Sequence, residues 1–132
     1  MDIPKDLQTY DMPASTIWIK EGIVYSTPKQ GISQELSGEQ MKRDMQKFRA
    51  IVGHDKICMV VEMNPKSKPA PKNERDIVAA EITASVKAMA IITSSAVTKM
   101  IANLFFGFKP PPYHVKMFLN ETDATNWIKQ YV

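Results

Sequence analysis

The sequence predicts one α/β domain built on a single mixed sheet, an antiparallel hairpin first and parallel βαβ units after it. Three observations carry this prediction. Within residues 86–132, two apolar runs, VKAMAII and VKMFL, alternate with two helical patterns. Strand, helix, strand, helix in that order is the mark of a βαβ crossover and a parallel strand pair. Residues 56–63, KICMVVEM, form a nearly continuous apolar run, which suits a central strand covered on both faces. Residues 15–20 and 23–27 are short, β-branched and aromatic, and only Glu21-Gly22 separates them, a hairpin signal in which Gly22 supplies a positive φ.

Each element has its own local reason. Residues 1–14 contain Pro4 and Pro13 and show no period, so they read as a loose lead-in, with the domain spanning 15–132. After the hairpin and a loop, Ser37-Gly38-Glu39-Gln40 has the form of a capping box. Met41, Met45, Phe48 and Val52 follow at helical spacing with charged residues between them, and Gly53 is placed to end the helix. The apolar run 56–63 then gives the central strand. NPKSKPAPK, with three prolines and three lysines, forbids regular structure over 64–72. Asn73 can cap the next helix, whose inner face would be Ile77, Ala80 and Ala84, widened by Val78 and Ile82.

Val86–Ile92 is the next strand. Ser94 or Ser95 caps a helix with Val97, Ile101 and Leu104 on its inner face and Met100, Phe105 and Phe108 broadening the stripe. Gly107 and the three prolines Pro110, Pro111 and Pro112 would stop it. Residues 114–119 are the last strand. Asn120 caps the final helix, which buries Ala124, Trp127, Ile128 and Tyr131. The order is β-β-α-β-α-β-α-β-α, about five strands, with right-handed crossovers expected between the parallel ones.

Bulk properties exclude several classes. The 132 residues suit one domain with one core, and the 44% apolar content is ordinary. No run is long and apolar enough to span a bilayer, and the polar, acidic N-terminus is not a secretory signal. One cysteine, Cys58, allows no intrachain disulfide, which fits a reducing, cytoplasmic location. A net charge of +3 on scattered basic residues is too weak to indicate nucleic acid.

The sequence offers little for catalysis. The two histidines, His54 and His114, stand far apart in sequence, and a catalytic site needs converging groups. Cys58 falls in a buried strand, where a thiol is usually inert. No set of His, Cys and carboxylates has ligand spacing, so neither metal nor cofactor is expected. Glu62 ends the central strand and is expected to reach solvent or pair with a lysine. Ser94 and Ser95 could hold an anion or accept a phosphate at a helix start, although capping alone accounts for them. Asn103 is expected to bond a loop carbonyl before Pro110.

Two surfaces stand out as binding candidates. Leu104-Phe105-Phe106-Gly107-Phe108 makes a helix end that is apolar all round, more than one sheet face needs. Phe105, Phe106 and Phe108 would then line a pocket or a protein interface, with a homodimer as the expected assembly. Lys66, Ser67, Lys68, Lys72 and Arg75 cluster around the proline loop after the central strand, where open α/β sheets bind ligands. An acidic or phosphate-bearing partner would suit them.

Ala90, Ser94 or Ser95, Lys99, Ala102-Asn103, Phe106, Pro112, Lys116, Phe118, Glu121, Ala124 and Trp127 together resemble the C-terminal signature of the SpoIIAA-like, or STAS-like, bacterial proteins, a group that includes STAS/SEC14 domain-containing proteins. The element order from Ile17 onward is similar too. The resemblance implies a small mixed-sheet α/β domain, usually without an established activity. Related anti-sigma-factor antagonists carry an Asp-Ser-Ser-Gly-like sequence with a phosphorylated serine after a central strand. Here Asn64-Pro65-Lys66-Ser67 stands instead, which argues against that switch. The expected function is therefore non-enzymatic, through contact with a protein partner or a small apolar ligand. The runner-up is a Sec14-like carrier of lipid or another hydrophobic ligand, or an enzyme using a pocket in the same fold.

Overall fold

The computed structural model describes residues 1–29, 38–63 and 72–132. Six strands form one sheet in sequence order: β1 (Thr9–Asp11), β2 (Ser15–Lys20), β3 (Ile23–Pro28), β4 (Ile57–Glu62), β5 (Val86–Ile92) and β6 (His114–Phe118). The first three pair antiparallel, and β3 through β6 are parallel. Helices α1 (Gly38–Val52), α2 (Lys72–Ser85) and α3 (Ala96–Phe108) join the parallel strands, and α4 (Glu121–Ile128) follows β6.

The hairpin turns as its sequence suggests. Glu21 and Gly22 both have positive φ, 52° and 77°, the two-residue turn whose twist matches paired strands. It sets Trp18 opposite Tyr25, and their rings stack with centroids 5.6 Å apart, a cross-strand pair of the kind that stabilises a sheet face. Gly53, at φ 88°, ends α1 with its N–H on the Arg49 carbonyl at 2.9 Å, the glycine stop the sequence predicts. The Ser37 cap predicted ahead of α1 lies outside the described residues.

The lead-in is not wholly loose. Residues 9–11 add a sixth strand, with Tyr10 opposite Ile17. Three residues are too few to show alternation, so only the pairing with β2 reveals them. The exposed rim of β1 is short, and Lys47 Nζ of α1 donates to the Asp11 carbonyl at 2.8 Å; brevity and a lysine both protect an edge from stray pairing.

Strands β3, β4 and β5 are interior, so their side chains alternate between two cores. On one face Phe48 of α1 packs with Ile17, Val24, Met59, Val86 and Met89, and Ile51 and Ile82 join from α1 and α2. Ile82 is the main apolar anchor of α2, while Ala80 and Ala84 are exposed, so the predicted inner face of α2 is rotated. Lys72 is already helical and Asn73 does not precede the helix. On the other face Ala124 and Ile128 of α4 close over Trp18, Tyr25, Cys58, Val60, Ala88 and Ala90. The small residues Ala88, Ala90 and Ala124, all 0% exposed, let that helix approach the sheet closely. Asn120 caps α4, its Oδ1 accepting from the Asp123 N–H at 2.8 Å. Trp127, expected to be largely buried, is half-buried against Phe118 at 5.6 Å between ring centroids.

This arrangement separates two isoleucines. Ile128 is 0% exposed and Ile101 on α3 is 59% exposed. Ile128→Ala should cost about 2–5 kcal/mol, and Ile101→Ala within about 0.5 kcal/mol of nothing. Urea melts of the two variants, in samples dilute enough that the chain is read alone, measure both; equal losses would contradict the packing described.

Candidate functional site

The site is built on α3, and its first turn is set by hydroxyls. Thr93 is buried at the end of β5, and its Oγ1 accepts the Ser95 N–H at 3.3 Å. Ser95 Oγ in turn accepts the Thr98 N–H at 3.2 Å. Ser95 is thus the helix cap, and Ser94 and Ser95 are both exposed.

Asn103 fixes the rotation of the helix. Its Nδ2 donates to the Met117 carbonyl at 3.2 Å, and its Oδ1 accepts the Met117 N–H at 2.8 Å. The sequence suggests a bond to a loop; the partner is instead the outer edge of β6. An edge strand leaves such backbone groups unpaired, and one side-chain amide satisfies a donor and an acceptor together. The half-buried side of α3 accordingly carries Thr98, Lys99, Ala102, Asn103 and Phe106.

The opposite side carries the large apolar residues. Val97, Met100, Ile101, Leu104, Phe105 and Phe108 are 58–83% exposed, and no residue of the helix is fully buried. The expectation that Val97, Ile101 and Leu104 face the core is therefore overturned. Rolling them inward would pull Asn103 from Met117 and leave two backbone groups unpaired, a cost of about 1–3 kcal/mol for each group that becomes buried. The helix also runs on through Gly107 and stops only at Phe108, where the Lys109 N–H bonds the Phe105 carbonyl at 2.8 Å. Phe105 and Phe108 sit on the exposed face, whereas Phe106 turns toward Pro110, Pro111 and Pro112.

The remaining candidates are scattered. Lys66, Ser67 and Lys68 lie outside the described residues. Lys72 opens α2 with its ammonium 3.3 Å from Asp76 Oδ2, and Arg75 is exposed one turn on. His54 is exposed after α1, and His114 stacks on Tyr131 at 4.3 Å. Burial pushes the Cys58 thiol up, against a smaller opposing pull from Lys87, so it is protonated and poorly nucleophilic at neutral pH. Glu62 accepts from Thr27 Oγ1 at 3.3 Å and pairs with the Met1 amino group rather than with a lysine. Among the described residues no cluster of His, Cys, Asp and Glu could hold a metal ion, and no helix is long and apolar enough to cross a membrane.

Asn103 provides a direct check of this geometry. Asn103→Ala should cost about 1–3 kcal/mol and speed hydrogen exchange at the Met117 amide. Asn103→Asp should also destabilise, because a carboxylate cannot donate to the Met117 carbonyl. Unchanged exchange at Met117 in both variants would show that the helix is held by something else.

A family model described as a domain of unknown function, DUF7793, matches residues 17–132. No curated protein matches the chain. An uncharacterized protein of the DUF3478 family with a SpoIIAA-like fold, from Shewanella loihica PV-4, superposes with a TM-score of 0.60 at 16% identity, over 87% of this chain and 92% of that one. A protein of unknown function from Arthrobacter sp. FB24 is 22% identical over 86% of this chain and 97% of its own, but its TM-score of 0.28 carries no argument. The mixed sheet, its parallel βαβ units and the superposition agree: the chain belongs to the DUF7793 family and has the SpoIIAA-like fold.

Proposed function

We propose that this protein is a non-enzymatic binding domain whose contact surface is the apolar face of α3 and whose occupant is a second copy of the same chain. The observation that carries the reading is the set of six large apolar side chains, each at least 58% exposed. All six lie along one face of a single helix, a contiguous apolar stripe of the kind that marks an interaction surface. None of the six carries a charge, and homodimer interfaces are the more apolar class. A twofold pairing places the same patch on both sides, so an uncharged helix face suits itself. A cytoplasmic location and the absence of a serine phosphoswitch belong to the same reading.

The second reading, a small apolar ligand, rests on a crevice between α1, α2 and the sheet. It encloses about 190 Å³ and is lined by Met12, Met45, Phe48, Met59, Ile82 and Met89. Drug-sized ligands occupy roughly 300–1,000 Å³, so this crevice suits only a few heavy atoms and gives little support to a lipid carrier.

Sedimentation velocity at about 100 μM, well above a micromolar Kd, is expected to give twice the 14.9 kDa chain mass. Leu104→Ser with Phe105→Ser should give the single-chain mass and still fold cooperatively, with a Tm that no longer rises with protein concentration, since both residues are exposed in the lone chain. A monomer in the unaltered protein overturns the self-pairing. A co-purifying uncharged apolar molecule in native mass spectrometry would then favour the small-ligand reading.

A further inference from the structure

A second concavity lies away from the exposed face of α3. It is an open cleft of about 620 Å³, within the range that holds small-molecule ligands. It sits where β4, β5 and β6 begin, and the triple-proline loop and the end of α4 complete it.

Its lining carries two chemistries. One is aromatic. The rings of His114 and Tyr131 stack with centroids 4.3 Å apart and planes 21° from parallel. Trp127 meets Tyr131 edge-on at 5.0 Å. The other is cationic. Lys56 immediately precedes β4, and Lys87 is the second residue of the neighbouring β5. Both are exposed, and neither has an ion-pair partner among the described residues. No carboxylate side chain is among the residues lining the cleft. Tyr113 also lines the cleft, and burial pushes its phenol up, so at neutral pH its O–H remains a hydrogen-bond donor.

We propose that this cleft binds a small aromatic acid, its ring against Trp127, Tyr131 and His114 and its carboxylate between Lys56 and Lys87. The aromatic residues give a planar ring a stacking surface, which a bare inorganic anion cannot use. The unopposed lysines give a carboxylate charge-assisted hydrogen bonds, which a neutral ring cannot accept with the same strength. An acid with a ring uses both chemistries at once. The mild overall charge of +3 places the attraction in this cleft rather than in a general field.

Titration with 2-naphthoate, followed by NMR, tests the assignment against two controls. 2-Naphthylmethanol keeps the ring without the charge, and acetate keeps the charge without the ring. The expected result is saturable shifts of the Trp127 indole and His114 ring signals with 2-naphthoate, in the millimolar range or below, and far weaker effects from either control. Lys56→Gln with Lys87→Gln should weaken 2-naphthoate about five- to tenfold at unchanged Tm. Trp127→Phe should retain part of the binding. The Leu104→Ser, Phe105→Ser variant should bind as the unaltered chain does, which keeps this test separate from self-association. Equal binding of 2-naphthylmethanol, an unaffected double-lysine variant, or no saturable shift at Trp127 and His114 would each overturn the proposal.

Discussion

The amide of Asn103 on the backbone of Met117 decides what the outside of this protein looks like. A singly wound sheet of this kind ends on an edge strand, here β6, whose outward N–H and C=O groups need partners. Asn103 satisfies one of each from a single side chain. In doing so it fixes the rotation of α3 and turns a modest, half-buried stripe of Thr98, Lys99, Ala102 and Phe106 toward the sheet. The apolar stripe is left facing out. Burying a Phe or Leu fully is worth roughly 1.5–3 kcal/mol, so this orientation leaves substantial burial unused in the lone chain and available to an interface.

The sheet topology explains why only α3 is left in this state. Helices α1 and α2 share one face of the sheet, with Phe48 and Ile82 filling the core over β4 and β5. The other face belongs to α4, through Ala124 and Ile128. Both faces over the central strands are thus covered by α1, α2 and α4, and α3 packs on β6. The cleft beside Tyr113 and His114 lies at this same end of the sheet, lined by the triple-proline loop and the start of β6.

Much of the fold was legible in the sequence. KICMVVEM as a central strand, the Glu21-Gly22 turn, Gly53 as a stop, a serine cap at 94 or 95 (it is Ser95) and the Asn120 cap all follow from local chemistry, which the structure bears out. The three-residue β1 was not legible, since its pairing is purely tertiary. The orientation of α3 was misread for a definite reason. Periodicity finds the more apolar stripe and assigns it to the core, but here a hydrogen-bonding requirement outweighed it. Asn103, isolated on an apolar helix, was the available signal; its partner on β6 could not be read from spacing. The cleft joins residues from the starts of three strands and the end of α4, so no local motif announces it.

The central claim is that the outward stripe of α3 meets its equivalent on another copy. A sample mixed from two differently isotope-labelled preparations reports this directly, through NOEs that connect protons of different chains. The account predicts intermolecular NOEs between the methyl groups of Ile101 and Leu104 and the rings of Phe105 and Phe108. Intermolecular NOEs confined to other elements, or none at a concentration of about 1 mM, where even a weak dimer is substantially populated, would contradict it.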